Sequence, residues 1–207
     1  MLSTRFKVTV ARILSGVVVL SRRIVGRGHV VVATRRGVRW NLDLKEGIDL
    51  AVYLGLYERW FAPVASRFVR SGEVAVDVGA NVGVHTLALA KMVGPHGRVI
   101  AFEPTNWAFE KLRHNLALNP DLARRVEVFQ VFLNDGTEAA PDRIYSSWPV
   151  GGVGEDEIHP ILMGRAMSTD GAYGASLDNV LNTLETEALD SSRISLIKID
   201  VDGHELD

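Results

Sequence analysis

The chain has 207 residues and a net charge of −2, 47% of its residues are hydrophobic, and it contains no cysteine. A length of roughly 100 to 200 residues suits a single hydrophobic core, and the apolar content excludes an intrinsically disordered chain. The lack of cysteine excludes disulfides, thiolate metal centres and cysteine nucleophiles. Any catalysis must therefore use other side chains.

Positive charge is concentrated at the start of the chain. Residues 1–40 contain nine Lys or Arg and no acid, whereas the remaining residues contain 14 bases and 25 acids. Apolar residues at helical spacing predict an amphipathic helix here, and we expect its apolar stripe to pack on the domain. Attachment to an anionic membrane surface is the alternative interpretation. The stripe consists of Phe6, Val10, Ile13, Val17 and Ile24.

The longest nearly apolar run, residues 13–20, is well short of the ~20 residues that a membrane-spanning helix needs. The bases Arg22, Arg23 and Arg27 follow it without the small-residue cleavage site of a secretory signal. We therefore expect a cytoplasmic protein, with peripheral membrane contact through the basic N-terminus as a further option.

The sequence predicts two regions, an N-terminal one at residues 1–71 and a domain at residues 72–207. Alternating and β-branched residues around a glycine predict a hairpin in the first region, and helical spacing follows it. The predicted elements are hairpin strands at 30–33 and 38–44 and a helical stretch at 48–68, interrupted near Gly55 and Pro63.

From Gly72 onward, strand-like and helical segments alternate, which is typical of a mostly parallel α/β sheet. Residues 134–175 contain seven glycines and three prolines with little periodicity, and we expect a lid or a flexible insertion there. Little sequence follows the last predicted strand, so we expect the sheet to be incomplete at its C-terminal side. The predicted strands are 74–78, 98–102, 126–133 and 194–201, and the predicted helices are 84–93, 107–118 and 176–184.

A glycine loop follows the first predicted strand of the domain, in Val76-Asp77-Val78-Gly79-Ala80-Asn81-Val82-Gly83. Its glycines allow a tight turn and the next helix presents unpaired N–H groups, so an anionic group should bind there. The dinucleotide pattern G-x-G-x-x-G is not met, and an acid precedes the first glycine by two residues. The loop therefore favours an amino-acid carboxylate over a pyrophosphate.

Glu103 ends the second predicted strand, in Ala101-Phe102-Glu103-Pro104. Ligands of open α/β sheets bind at this edge, and one carboxylate there can accept both hydrogen bonds of a ribose diol. Each such charge-assisted bond contributes ~1.5 to 3 kcal/mol. Because Glu103 lies one βα unit after the glycine loop, a ribose-binding role is favoured over that of a solvated strand-end acid.

Several motifs together resemble the FkbM family of S-adenosylmethionine-dependent methyltransferases. The resemblance runs from about Arg39 to the last residue, with five motifs in family order. They are Glu46-Gly47-Ile48-Asp49 with Leu54-Gly55-Leu56-Tyr57-Glu58, the G-A-N-x-G loop, the A-F-E-P strand end, Ser176-Leu177-Asp178-Asn179-Val180-Leu181, and Ile197-Lys198-Ile199-Asp200-Val201-Asp202-Gly203-His204-Glu205.

The resemblance implies a Rossmann-like class I methyltransferase fold that binds S-adenosylmethionine. In that fold the loop of Gly79, Asn81 and Gly83 holds the methionine end, and Asp77 orients the loop and the methionine amino group. Glu103 takes the ribose hydroxyls. The residues expected to border the adenine are Asn134 or Asp135, and those that could line the methionine end are Tyr57, Glu58 and His85.

The resemblance also places Asp200 at the end of the fourth strand, near the methyl group and the acceptor hydroxyl, where it could act as a base. Asp202 stands where the family often has Glu, and His159 is a second candidate base. Binding of Mg²⁺ by Asp200, Asp202, His204 and Glu205 is a less favoured alternative. An aromatic wall against the acceptor is a further hypothesis, formed by Tyr145, Trp148, His159 and Tyr173.

The function we predict is O-methylation of a small molecule or a glycan. Two alternatives stay open, which are a nucleotide-binding oxidoreductase that uses NAD and a catalytically silent scaffold at the membrane. The body of the chain is acidic and carries no nucleic-acid recognition motif, so no nucleic-acid partner is expected. The sequence leaves the oligomeric state open.

Overall fold

The computed structural model of the chain describes residues 4–147, 150, 164–185 and 190–201. The chain divides into two compact units. The first consists of Met1–Arg59 with Tyr145–Met167, and the second of Trp60–Ile144 with Ser168–Asp207. The predicted domain boundary at residue 71 stays a prediction.

The first unit contains the predicted N-terminal helix and hairpin. The two strands of the hairpin are joined by a turn at Arg36 and Gly37, whose φ angles are 50° and 75°. Positive φ angles at both residues are typical of the two-residue hairpin turn whose twist fits that of the flanking strands. Val38, Trp40 and Leu42 alternate along the second strand and are buried. The elements are α1 (Thr4–Ile24), β1 (Val30–Arg35), β2 (Val38–Asp43) and α2 (Gly47–Tyr53).

The orientation of α1 differs from the prediction. Ser15 is buried and its hydroxyl donates a hydrogen bond to the Leu44 carbonyl at 2.7 Å. The stripe that was expected to pack is exposed instead, at Val10, Ile13, Val17 and Ile24. The prediction of a packed stripe was therefore wrong for these residues. No helix among the described residues is long and apolar enough to span a membrane.

The second unit is built on a four-stranded parallel sheet in the order β10-β3-β4-β5. Asp77 pairs in register with Ala101 on one side and with Lys198 on the other. The predicted mostly parallel α/β sheet is confirmed, with the fourth strand beside the first. The strands are β3 (Val74–Val78), β4 (Arg98–Phe102), β5 (Val126–Phe129) and β10 (Ile194–Ile199).

Helices cover both faces of this sheet. Successive side chains of a strand point to opposite faces, so each strand contributes apolar residues to both. Val76, Ile100 and Phe102 pack against one helix, α7 (Leu177–Glu185). On the other face, Ala75 and Val99 pack against α3 (Phe61–Ala65) and α4 (Val84–Met92). Two further helices follow β4, α5 (Asn106–Ala117) and α6 (Pro120–Ala123).

The third predicted strand, 126–133, is divided at Gln130. Its second part leaves the main sheet and forms β6 (Val131–Leu133), which pairs in parallel with β9 (Tyr173–Ala175). The Gln130 side chain donates a hydrogen bond to the Asp170 carbonyl at 2.8 Å, which fixes the chain where it changes partner.

Two other predicted regions also differ in detail. The insertion at 134–175 contains a further pair of short strands, β7 (Arg143–Ser146) and β8 (Arg165–Ser168). In the helical stretch at 48–68 the break occurs at Gly55, whose φ is 70°. Pro63 lies inside α3, in the first turn, where a missing N–H costs little.

Candidate functional site

The glycine loop begins where β3 ends and is attached to the end of β4. The N–H groups of Gly79 and Ala80 donate to the Phe102 carbonyl at 3.0 and 2.9 Å. The φ angles of Gly79, Asn81 and Gly83 are all positive, between 50° and 94°. The loop therefore turns back at once and leads directly into α4.

Glycine is required at both ends of this loop. A Cβ atom on Gly79 would overlap the backbone carbonyl oxygen of Asp200, at the end of β10. A Cβ atom on Gly83 would overlap the Leu112 side chain on α5. These close approaches, together with the positive φ angles, explain the two glycines without reference to any ligand.

Glu103 contacts the loop directly. Its Oε2 accepts a hydrogen bond from the Asn81 N–H at 2.8 Å. Its Oε1 accepts from the Thr105 N–H at 2.9 Å and from the Thr105 hydroxyl. The side chain is 3% exposed, so the carboxylate is held in one orientation between the ends of β3 and β4.

Burial raises the pKa of the Glu103 carboxyl above its ordinary value, since the charged form loses its hydration. The bonds from Thr105 and Asn81 and the nearby charge of Lys198 act in the opposite direction. Three donors and a cation therefore offset part of the cost of burying this carboxylate.

Asp77 lies under the loop and is fully buried. Its Oδ2 accepts a hydrogen bond from the Thr86 hydroxyl of α4 at 2.6 Å. Its Oδ1 forms an ion pair with the Lys198 ammonium of β10 at 3.0 Å. Asp77 therefore joins β3, α4 and β10, and its predicted contact with a methionine amino group stays a prediction.

Lys198 is the functional candidate that sequence reasoning missed. Besides Asp77, its ammonium donates to the carbonyl oxygens of Val78 and Gly79 at 3.1 and 2.9 Å. The signal that could have revealed it is a single charged residue inside the mostly apolar strand Ile194–Ile199. A buried lysine needs an acid, and Asp77 is the acid in register with it.

Asp200 lies directly after β10, beside the loop. Its N–H donates to the Val78 carbonyl at 3.2 Å, and its carboxylate lies 3.9 Å from the Lys198 ammonium. The side chain is 51% exposed. The structure therefore brings Asp77, the loop, Glu103 and Asp200 together at the carboxyl ends of neighbouring strands.

Asn134 and Asp135 lie after β6, and their side chains stabilise the local turn. Asn134 Oδ1 accepts from the Gly136 N–H at 2.8 Å, and Asp135 Oδ1 accepts from the Thr137 N–H at 2.9 Å. The Thr137 hydroxyl and N–H hold the pKa of the exposed Asp135 carboxyl below its usual value. Their predicted place beside the adenine stays a prediction.

The remaining candidates fall into three groups. His85 is buried and stacks on Phe61 with ring centroids 4.0 Å apart, as a core residue does. Tyr173 on β9 is exposed in the second unit. Tyr57, Glu58 and Tyr145 belong to the first unit, and Trp148, His159, Asp202, His204 and Glu205 lie outside the described residues.

No group of three or more acidic or histidine side chains among the described residues is placed to hold a metal ion. Three of the four residues suggested for Mg²⁺ lie outside the described residues, and they are Asp202, His204 and Glu205. The Mg²⁺ alternative therefore stays untested.

The parallel sheet, the glycine loop and the acid that contacts it define a Rossmann-like enzyme domain. A family model described as the methyltransferase FkbM domain matches residues 77–207, which include every residue of this cluster. The chain belongs to this family, and the predicted resemblance and Rossmann-like methyltransferase fold are confirmed.

Individual relatives match more weakly. The methyltransferase sdnD of Sordaria araneosa is 27% identical over 155 residues, which cover 66% of this chain and 59% of that protein. Trm5b of Pyrococcus abyssi is 24% identical, with 48% of this chain and 27% of that one covered and a TM-score of 0.36. TYW2 of P. horikoshii, solved in complex with MeSAdo, is 23% identical over 49% of this chain and 35% of that one, with a TM-score of 0.36. The chain thus spans about three fifths of its curated relative.

Substitution of Gly79 by alanine tests how tightly the loop lies against β10. Gly79→Ala should lower the free energy of unfolding by several kcal/mol, since left-handed backbone strain of about 1 to 2 kcal/mol adds to the overlap with Asp200. Gly72→Ala is the matched control, because Gly72 also has a positive φ. The Cβ atom that this substitution adds would lie 3.6 Å from the end of the Arg193 side chain, which is an ordinary van der Waals distance. If urea unfolding gave the same loss of unfolding free energy for Gly79→Ala and Gly72→Ala, the close approach of Gly79 to Asp200 would be contradicted.

Proposed function

We propose that the chain binds S-adenosylmethionine and transfers its methyl group to a hydroxyl of a small molecule or a glycan. One contact carries this proposal, the hydrogen bond from the Asn81 N–H to Glu103 Oε2. It brings the loop after the first strand and the acid after the second strand to one place, as a single nucleoside ligand requires. Membership of the FkbM methyltransferase family supports the same chemistry.

The hydrogen bonds of Glu103 limit how it would hold a ribose. A carboxylate oxygen can accept two hydrogen bonds. Oε1 already accepts two from Thr105, whereas Oε2 accepts one from Asn81. We therefore expect one ribose hydroxyl to donate to Oε2, instead of the two bonds that the strand-end position alone suggests.

We expect the methionine carboxylate to bind at the N-terminus of α4 and not to the amides of the loop. The amides of Gly79, Ala80, Asn81, Val82 and Gly83 all donate within the protein. The helix begins at Val84, and the amides of a first helical turn attract anions. The loop in this proposal shapes the pocket, and the helix terminus supplies the positive electrostatic potential.

The transfer step needs a base beside the methyl group. S-adenosylmethionine, when bound, would supply a methyl group on a sulfonium sulfur: the bond from sulfur to the methyl carbon would break as the O–C bond forms, and S-adenosylhomocysteine would leave. The acceptor hydroxyl loses its proton, and we assign Asp200 as the group that takes it, because its half-exposed carboxylate lies beside the loop. Asp202 and His159 remain alternative bases.

The cofactor site is tested by replacing Glu103 and measuring binding calorimetrically. Glu103→Gln should weaken the affinity for S-adenosylhomocysteine about 10- to 100-fold, since a charge-assisted hydrogen bond is lost. Glu110→Gln on α5 is the matched control, because the Glu110 carboxylate is exposed and pairs with Arg113 at 3.1 Å, and the affinity of this variant should not change. Equal affinities for the two variants, or a larger rise of the melting temperature with NAD than with S-adenosylhomocysteine, would refute the proposal.

The acceptor class and the base are tested together by mass spectrometry of methylated products. Sugars, phenols and alcohols should be methylated in preference to amines and carboxylic acids. Asp200→Asn should slow this transfer about 10²- to 10⁴-fold and leave the affinity for S-adenosylhomocysteine within about twofold. Asp121→Asn, at an exposed position on α6, is the control.

Full turnover by Asp200→Asn would exclude Asp200 as the base. Methylation of amines alone would overturn the proposal of a hydroxyl acceptor.

A further inference from the structure

The exposed side of α1 forms a continuous apolar stripe. Ile13, Val17, Leu20 and Ile24 follow one another at spacings of four, three and four residues, so they lie on one face of the helix. Each is at least 60% exposed, and Ile24 is 77% exposed. We call these four residues the α1 stripe.

The helix is attached to its own unit by a different face. Ser15 is buried and lies two residues from both Ile13 and Val17, which corresponds to a rotation of roughly 200° around the helix. Its hydroxyl bonds the Leu44 carbonyl, and the Arg22 side chain donates to the Gly28 carbonyl at 2.9 Å. The α1 stripe is therefore left exposed while the helix is held in place.

Positive charge accompanies the α1 stripe. Arg12 and Arg23 are exposed on the same helix, and Arg27 is exposed just after it. Residues 1–40 contain nine bases and no acid, so no carboxylate of this segment neutralises them. A ligand for this surface must be apolar and anionic at the same time.

We infer that the α1 stripe and its flanking arginines bind the surface of an anionic lipid bilayer, with the helix lying in the plane of the interface. Such a surface offers acyl chains to the stripe and lipid phosphate or carboxylate groups to the arginines. A second copy of the chain would match the stripe but would bring Arg12, Arg23 and Arg27 of both copies together, which charge repulsion disfavours. The lipid surface satisfies both the apolar and the electrostatic requirement.

Co-sedimentation of the full chain with vesicles tests this inference. The chain should sediment with vesicles of phosphatidylcholine and phosphatidylserine, and much less with vesicles of phosphatidylcholine alone. Arg12→Gln with Arg23→Gln should weaken the partition coefficient about 30-fold, since each cation near an anionic surface contributes about fivefold. Ile13→Gln with Val17→Gln should weaken it more than tenfold, because apolar burial is lost.

Matched controls use exposed residues elsewhere on the chain. Arg124→Gln removes an exposed arginine of α6, and Leu56→Gln removes an exposed leucine of the first unit. Neither should change sedimentation. Equal sedimentation with both kinds of vesicle, or equal effects of the control and stripe variants, would overturn the inference. A stable lipid-free dimer that Ile13→Gln with Val17→Gln dissociates would also overturn it, in favour of self-association.

Discussion

The Lys198 ammonium occupies the point where β10, β3 and the glycine loop meet. It neutralises the fully buried Asp77 and donates to the carbonyl oxygens of Val78 and Gly79. An unpaired carboxylate at this depth would cost several kcal/mol, so the ion pair fixes both the register of the two strands and the start of the loop. The loop's shape thus depends on a residue some 120 positions later in the sequence.

The same arrangement determines what the edge of the sheet can bind. Gly79 lies so close to Asp200 that no side chain fits between them. Glu103 then holds the middle of the loop through Asn81, so the loop and the candidate ribose acid cannot move independently. Contacts within the protein therefore hold this cluster in one arrangement.

The sequence predicted those parts that depend on local pattern. The bounds of β3 and β4 are as predicted, because each is a short, mostly apolar segment between glycine or proline turns. The division at Gln130 could not be predicted, since apolar residues continue on both sides of it. Periodicity indicated that α1 has an apolar face but not whether another element covers it. Lys198 was missed because its burial depends on strand register with Asp77, which only the folded chain defines.

A double-mutant cycle on Asp77 and Lys198 tests the central claim most directly. Lys198→Met alone should lower the free energy of unfolding by about 3 to 5 kcal/mol, because Asp77 is left buried without its cation. Asp77→Asn combined with Lys198→Met should cost at least ~1 kcal/mol less than the sum of the two single changes. If urea unfolding gave costs that simply add, within ~0.5 kcal/mol, the two side chains would not be coupled and the proposed origin of the loop's shape would be wrong.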